Sequence, residues 1–275
     1  MLDVRPAAVA GSWYPANDVQ LADAVDRHLA AARDAAAPSC PRAIVAPHAG
    51  LMYSGSVAAH AYALLRHCEY SAVVLVGPSH FVGFDGVAIW ARGAWDTPFG
   101  PVPVAEPLAD AIAAASPDIV SQPAAHEREH SLEMQLPFVA RLLPGVPIVP
   151  LVMGYQRRET ANALGDALAR AIAARTDEQI LLVASSDLSH YEDASVASRL
   201  DAVVVERVGA LDADGLMDVL EGEPRHACGG GPMVSVLRAA LQLGCTRAQV
   251  LRYADSGDVS GDKTSVVGYM AAAIW

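Results

Sequence analysis

The sequence predicts an α/β fold with a largely parallel central sheet flanked by helices. Continuous apolar runs without polar alternation recur along the chain, and such runs are typical of strands covered on both faces. Amphipathic helical patterns lie between these runs, so that strand and helix alternate for most of the length. No linker or low-complexity tract divides the 275 residues, and we expect one domain spanning residues 1–275.

The elements follow in order along the chain. The first predicted helix begins after Asn17, which with Gln20 forms a potential capping box, and it carries Leu21, Val25 and Leu29 on one face. Strands are predicted at 42–47, 72–76, 87–90, 146–152 and 179–184, and in the final S-V-V-G-Y-M-A-A-A-I-W. Helices are predicted at 56–66 and around 164–172, 196–204 and 233–241, the last stopping at Gly244.

Composition excludes several classes of partner. The 31 acidic and 19 basic residues give a formal net charge of −12, which opposes nucleic-acid binding. No apolar run approaches the roughly 20 residues of a membrane span, and M-L-D-V-R-P does not have the pattern of a signal peptide. We therefore expect a cytoplasmic protein with no membrane partner. A chain of this length does not need disulfides, so a special cysteine among the four is expected to be a ligand or a reactive thiol.

Polar residues that directly follow apolar runs mark the candidate site. In open α/β sheets, ligands bind beyond the carboxyl ends of the strands. His48 follows I-V-A-P, His80 follows V-L-V-G-P-S, and S-S-D-L-S-H after I-L-L-V-A supplies Asp187 and His190. Cys228 lies in R-H-A-C-G-G-G-P before a predicted helix. The sequence therefore predicts that these side chains share one edge of the sheet.

Two imidazoles and one anionic ligand would form a catalytic rather than a structural metal site, because positions stay open for substrate or dioxygen. Three glycines and a helix start follow Cys228, and their N–H groups are expected to favour a thiolate. His190, left without a metal bond, could move protons. Each residue also has a plainer interpretation: His48 and His80 as turn residues, Asp187 as a helix cap, and Cys228 as a small buried apolar residue.

Two rival motifs receive less support. H-E-R-E-H, from His126 to His130, has the H-E-x-x-H pattern of zinc proteases, but Pro123 and Pro137 argue against the helix that this chemistry needs. We expect His126 in a loop and His130 in the pocket. The G-x-S-x-G pattern of a serine hydrolase is absent, and Ser185 and Ser186 are interpreted as turn donors. His226, two residues before Cys228, stays open as an alternative ligand.

Seven segments, taken together and in this order, form a pattern that is highly specific for one protein family. They are R-P-A-A-V-A-G-S-W-Y-P, A-P-H-A-G-L-M-Y-S-G, G-P-S-H, E-H-S-L-E-M-Q-L-P-F, S-S-D-L-S-H-Y, A-C-G-G-G-P-M and S-G-D-V-S-G-D-K-T-S-V-V-G-Y. From Arg5 to about Tyr269 the chain resembles the MEMO family, also called AmmeMemoRadiSam system protein B. That family is similar in fold to the class III extradiol dioxygenases, which use Fe(II).

The resemblance implies roles for specific residues. His48, His80 and Cys228 match the metal-contacting positions, and Asp187 and His190 match the remaining polar residues of the pocket. Further motif positions, implied to line the pocket on the substrate side, are Trp13, Tyr53, Glu129 and His130.

The resemblance also sets the expected cofactor and function. Extradiol enzymes hold iron with two histidines and a carboxylate, whereas Cys228 stands at the third position here. Because a thiolate is softer, copper and zinc are alternatives to Fe(II) as the one bound metal ion. The expected function is a metal-dependent oxidoreductase of dioxygenase type; the alternative is a non-enzymatic redox metal binder or peptide-binding adaptor. The family name further implies association with AMMECR-type and radical-SAM proteins.

Overall fold

Strands and helices alternate along most of the chain, as the apolar runs predict. The structure is a computed structural model that describes residues 4–32 and 38–275, so M-L-D-V-R-P is described only from Val4. The strands are β1 (Val4–Arg5), β2 (Ala43–Ala46), β3 (Ala72–Pro78), β4 (Val87–Ile89), β5 (Ala94–Trp95), β6 (Val102–Pro103), β7 (Ile119–Ser121), β8 (Ile148–Met153), β9 (Ile180–Ser185), β10 (His190–Glu192), β11 (Ala248–Asp255) and β12 (Val266–Ile274). The α-helices are α1 (Asp18–Ala31), α2 (Leu51–Tyr62), α3 (Glu106–Ala115), α4 (Leu136–Leu142), α5 (Arg158–Ala173), α6 (Ala194–Gly209), α7 (Ala213–Gly222), α8 (Gly230–Gln242) and α9 (Gly257–Ser260).

The larger sheet has a parallel centre and antiparallel edges. Its strand order is β10-β12-β2-β9-β3-β8-β4-β7, with β11 also paired to β12. Strands β2, β9, β3 and β8 run parallel, whereas β12 is antiparallel to β2 and β4 is antiparallel to β8. The predicted α/β class is confirmed, and the sheet as a whole is mixed. The carboxyl ends of the four central strands meet at one edge, which is where the predicted site residues were expected.

The segment around α1 and α2 shows how local sequence sets the element boundaries. The Asn17 side chain accepts a hydrogen bond from Gln20 N at 3.0 Å, as an N-cap does. Helix α2 begins at Leu51, earlier than predicted, because Gly50 serves as its N-cap and Leu51 N donates to Trp13 O at 2.9 Å. The turn between β2 and α2 is therefore short, and it holds His48 close to the strand end.

Helix α8 and strand β12 complete the central packing. Helix α8 contacts β2, β3 and β9, and Gly244 follows it with φ +89°, in the left-handed region that favours glycine. The predicted final strand is confirmed as β12, where a Cβ at Gly268 would collide with the Asp201 carboxylate. Within the described parts of the chain, no helix combines the length and apolar character that a membrane crossing requires.

Two of the four cysteines depart from the sequence-based expectation. Cys40 and Cys68 form a disulfide, with Cα atoms 5.7 Å apart, that closes a segment containing β2 and α2. Cys228 and Cys245 are free. Although a chain of this length does not require such a bond, the fold brings the start of β2 and the end of the α2 region within disulfide distance.

A buried ion pair ties the N-terminal segment to the chain that precedes α4. Arg5 Nη1 lies 2.7 Å from Glu133 Oε2, and both side chains are buried. The Arg5 guanidinium also donates to the carbonyl oxygens of His126 and Glu129, at 2.7 and 2.6 Å. The Glu133 carboxylate accepts three more donors: Ala8 N, Val9 N and Tyr14 OH. Every charge of the pair thus has partners, as buried ions require.

We predict that Arg5→Ala lowers the free energy of unfolding by about 3–5 kcal/mol, since Glu133 is left as an unpaired buried charge. The matched control is Arg157→Ala, which removes an exposed pair with Asp85 and should cost at most about 1 kcal/mol. Urea unfolding of both variants measures the difference. Equal losses in the two variants would contradict the role assigned to Arg5.

A thiol count tests the disulfide. We predict that the protein unfolded without reductant exposes two reactive thiols, those of Cys228 and Cys245, and that reduction raises the count to four. Titration with a chromogenic thiol reagent gives both numbers. A Cys40→Ser/Cys68→Ser double variant should give two thiols in both conditions. Four thiols in the unreduced wild-type protein would show that the pair is not bonded.

Candidate metal centre

Three predicted ligand residues converge at the edge of the sheet. His48 lies two residues after β2, His80 two residues after β3, and Cys228 two residues before α8. One ligand atom from each lies within 4.8 Å of those of the other two, and Cys228 Sγ is 3.2 Å from His48 Nε2. The structure therefore brings together, at coordination reach, residues that are far apart in sequence.

His48 is buried, and its backbone N–H group and both ring nitrogens have partners. Its backbone N–H donates to Asp187 Oδ1 at 2.7 Å, and ring Nδ1 lies 2.9 Å from Ser185 Oγ. Burial, followed by the nearby His80, holds the pKa of His48 well below its usual range. A neutral imidazole is the form that binds a metal.

His80 is held by the carboxylate of Glu129. Its Nδ1 lies 2.8 Å from Glu129 Oε1, and its backbone N–H donates to Glu129 Oε2 at 2.6 Å. Glu129 also accepts the backbone N–H groups of His130 and Ser131. Burial alone would raise the pKa of Glu129, but these hydrogen bonds, led by the one from the His80 ring, bring it to about 2. The carboxylate is thus ionised and keeps the His80 proton on Nδ1, leaving Nε2 as the ligand atom.

The glycines after Cys228 serve close packing rather than stabilisation of a thiolate. A Cβ on Gly229 would lie 2.5 Å from Ser185 O, and one on Gly231 would lie 2.6 Å from Met153 Sδ. Their N–H groups donate to Ser186 Oγ and Gln156 Oε1, and it is Asp187 N that donates to the sulfur, at 3.3 Å. The expectation that these N–H groups and the helix stabilise a thiolate is therefore wrong. Burial, and then the Asp187 charge, raise the pKa of Cys228 well above its usual value.

Asp187 and His190 flank this group without belonging to it. Asp187 is buried, which raises its pKa, and its Oδ1 accepts the N–H groups of His48 and Ala49. His190, the first residue of β10, has Nδ1 2.8 Å from Leu188 O, and because a carbonyl oxygen can only accept, Nδ1 carries the proton and donates it in this hydrogen bond. Its Nε2 is left unprotonated when the ring is neutral, which suits a proton acceptor.

Aromatic rings border the centre on the side of His80. The His130 ring stacks on that of His80 with centroids 4.5 Å apart, and Trp13 lies 4.3 Å from His130. Burial, followed by the nearby His48, lowers the pKa of His130 to about 4. Next to these rings runs an open groove of about 1170 Å³, whose lining includes Trp13, Tyr53 and Ala49, the residue after His48.

The rival residues lie elsewhere or lack the required geometry. The chain from His126 to His130 forms a turn after a short 3₁₀-helix and not an α-helix, so the zinc-protease motif fails structurally. His126 is buried between Trp90 and Trp95, where its pKa falls to about 3 because of burial and Arg5. His226 has Nδ1 2.7 Å from Leu200 O, and it belongs to neither cluster with metal-ligand spacing among the described residues.

A second cluster with metal-ligand spacing shares His80. It consists of His80, Glu129 and His130, whose ligand atoms also lie within 4.8 Å of one another. Glu129 is already engaged by its hydrogen bonds to the ring and backbone of His80 and to two further N–H groups. The cluster of His80 with His48 and Cys228 does not require Glu129 as a ligand, and we take that cluster as the candidate centre.

Two residues of the supporting shell were not recognised in the sequence. Ser185, interpreted as a turn donor, contacts the His48 ring. Gln135, which lies in the motif E-H-S-L-E-M-Q-L-P-F but received no role of its own, contacts Ser185. Both are fully buried. Two signals in the sequence could have indicated these roles. Ser185 is a polar residue at the end of a buried strand, and Gln135 is a polar residue within the apolar M-Q-L-P-F.

Comparison with known proteins agrees with the motifs. The family model described as Memo-like protein matches residues 5–273. A MEMO1 family protein of Methanosarcina mazei is 38% identical over 99% of this chain and 100% of its own length. One from Methanothermobacter thermautotrophicus is 37% identical, covering 97% and 98%. An uncharacterised Escherichia coli protein of known crystal structure is similar in fold alone, with a TM-score of 0.53 and 18% identity over 83% of this chain and 98% of that one.

We predict that Glu129→Gln weakens metal binding roughly 10- to 100-fold, since His80 loses the anionic acceptor that orients it. Glu127→Gln, which changes an exposed residue of the same turn, is the matched control and should bind as the wild type does. Cobalt(II) titration, followed through thiolate-to-cobalt charge-transfer absorption, measures both affinities. Wild-type affinity in a folded Glu129→Gln protein would contradict the role assigned to Glu129.

Proposed function

The chain belongs to the Memo-like protein family, and we propose that it is a metal-dependent oxidoreductase of dioxygenase type. The observation that carries the proposal is the convergence of His48, His80 and Cys228 within coordination reach. Asp187 contacts His48 and Cys228, and His190 lies close enough to influence the pKa of His48 and of Asp187. Three protein ligands leave positions open for small molecules, as catalytic centres do. A purely structural site would have no use for an acid/base pair next to it.

The donor set fits a borderline or soft divalent ion. We propose Fe(II) as the native metal, with copper and zinc as alternatives favoured by the sulfur ligand. Once bound, the ion would supply Lewis acidity and, for iron or copper, one-electron redox chemistry. Cys228 must lose its proton on binding, so affinity rises with pH.

The protein's own residues then have separate tasks. His48 and His80 present Nε2 and are oriented through Nδ1, by Ser185 and Glu129 respectively. We propose His190 as the residue that accepts or donates the substrate proton at Nε2. Asp187 accepts hydrogen bonds from two backbone N–H groups and so fixes the turn that carries His48. We propose that Asp187 is also the acid/base partner of His190.

Substrate would approach from the aromatic side of the centre. Trp13, Tyr53 and His130 are proposed substrate contacts, since they lie on the groove or between it and His80. Glu129, grouped with them in the sequence-based prediction, acts instead through His80 and is proposed as a positioning residue.

The groove also favours a second candidate function, that of a peptide-binding adaptor with a metal site. A volume of about 1170 Å³ exceeds what one small substrate needs. Association with AMMECR-type and radical-SAM proteins, and a cytoplasmic location, form part of the proposal and rest on the family resemblance.

We predict that His48→Ala, His80→Ala and Cys228→Ala each lose the same metal from protein purified without oxygen. Removing one of three ligands leaves too few bonds to retain the ion through purification. His67→Ala, at an exposed histidine, is the control and should keep it. Elemental analysis gives the metal content. Retention of the metal by any of the three ligand variants would overturn the proposed centre.

Oxygen consumption separates the two candidate functions. The iron-loaded enzyme should consume dioxygen with a catechol-like compound or a cell-extract fraction, and His190→Ala should lose that activity while keeping its metal. Metal binding without any oxygen uptake, together with intact biological function in His190→Ala, would favour the adaptor.

A further inference from the structure

A chain of buried hydrogen bonds ends on the ring of His48. Tyr62 OH lies 2.9 Å from Gln135 Oε1, and Gln135 Nε2 donates to Pro47 O at 3.1 Å and to Ser185 Oγ at 2.8 Å. The Gln135 amide can take only this orientation, because a flipped amide would point its oxygen at the Pro47 carbonyl. Tyr62, Gln135 and Ser185 are all fully buried, so water does not compete with these bonds.

The direction of every proton in this chain follows from its acceptors. Ser185 has one hydroxyl proton, and that proton is donated to the carbonyl oxygen of Ser131 at 2.7 Å. Gln135 already donates to the Ser185 oxygen. The 2.9 Å contact between Ser185 Oγ and His48 Nδ1 therefore has no proton left on the serine side. His48 must be the donor, with its proton on Nδ1.

We propose that Ser185, held by Gln135, is a positioning residue that locks His48 in the Nδ1-protonated tautomer and so aims the Nε2 lone pair at Cys228. The lone pair faces Cys228 Sγ at 3.2 Å, inside the cluster with His80. In the other tautomer, an N–H group would point into the centre and block Nε2 as a ligand. The inference deepens the proposed metal centre, yet it concerns the protein without its metal.

The acceptor for His48 differs in kind from that for His80. His80 donates to an ionised carboxylate that also binds several N–H groups, whereas the acceptors for the His48 ring are neutral: the Ser185 hydroxyl and, as a smaller contribution, the Ser185 main-chain carbonyl. A carboxylate beside the fully buried Ser185 would need compensating donors of its own. The Ser131 carbonyl and the Gln135 amide instead fix the hydroxyl without adding charge.

Nitrogen-15 NMR of the full-length, metal-free protein tests the proposal directly. Long-range proton–nitrogen correlations distinguish the two neutral tautomers of each of the nine histidines, and the His48 signals are those absent from His48→Gln. We expect an Nδ1-protonated His48 in the wild type. An Nε2-protonated ring would overturn the proposal, and this measurement needs no variant at position 185.

The matched variants are Ser185→Ala and Ser186→Ala, which change adjacent buried serines. The Ser186 hydroxyl donates to Asp187 O and accepts from Gly229 N, and it also interacts with the Cys228 thiol, so this variant is compared with Ser185→Ala by the His48 tautomer alone. Ser185→Ala should shift His48 to the Nε2-protonated tautomer and weaken cobalt(II) binding roughly tenfold or more, whereas Ser186→Ala should keep the wild-type tautomer. An unchanged tautomer in folded Ser185→Ala would overturn the proposal.

The outcome is independent of the proposed activity. If metal analysis shows no native metal but His48 carries its proton on Nδ1, the positioning role of Ser185 is supported and the proposed metal-dependent function is contradicted. If metal binds at the three ligands while His48 carries its proton on Nε2, the positioning role fails alone.

Discussion

The buried pairing of Arg5 with Glu133 is the interaction on which the candidate centre depends. Arg5 fixes not only Glu133 but also the carbonyl groups of His126 and Glu129. The chain between 126 and 135 then supplies Glu129 to the His80 ring, and Ser131 O and Gln135 to Ser185. One ion pair near the N-terminus therefore supports the orientation of both imidazoles. This arrangement shows how a segment whose only regular structure is one 3₁₀ turn, at Glu133–Gln135, can hold its side chains in place.

The positions of the two histidine ligands were predictable because the sheet topology determines them. Apolar runs identified β2, β3 and β9, and the rule that parallel strands share a carboxyl edge placed His48, His80 and Asp187 together. Cys228 required more, since it precedes a helix rather than following a strand. The approach of Cys228 to the histidines depends on the close packing of the glycines that follow it against Ser185 and Met153. Such contacts between distant segments cannot be predicted from a sequence pattern alone.

The protonation states of the site residues could not be predicted from the sequence. The thiolate expected at Cys228 is opposed by burial, and the roles of Ser185 and Gln135 became visible only through the directions of their hydrogen bonds. The antiparallel edges of the sheet and the Cys40–Cys68 bond were missed for a related reason. Each depends on contacts between segments whose local patterns are compatible with several pairings.

The uneven exposure of the three candidate ligands has a kinetic consequence. His48 is only 1% exposed, whereas 28% of the His80 side chain is accessible. A chelator that approaches the candidate centre therefore meets the His80 ring, which stacks on His130, before it meets His48.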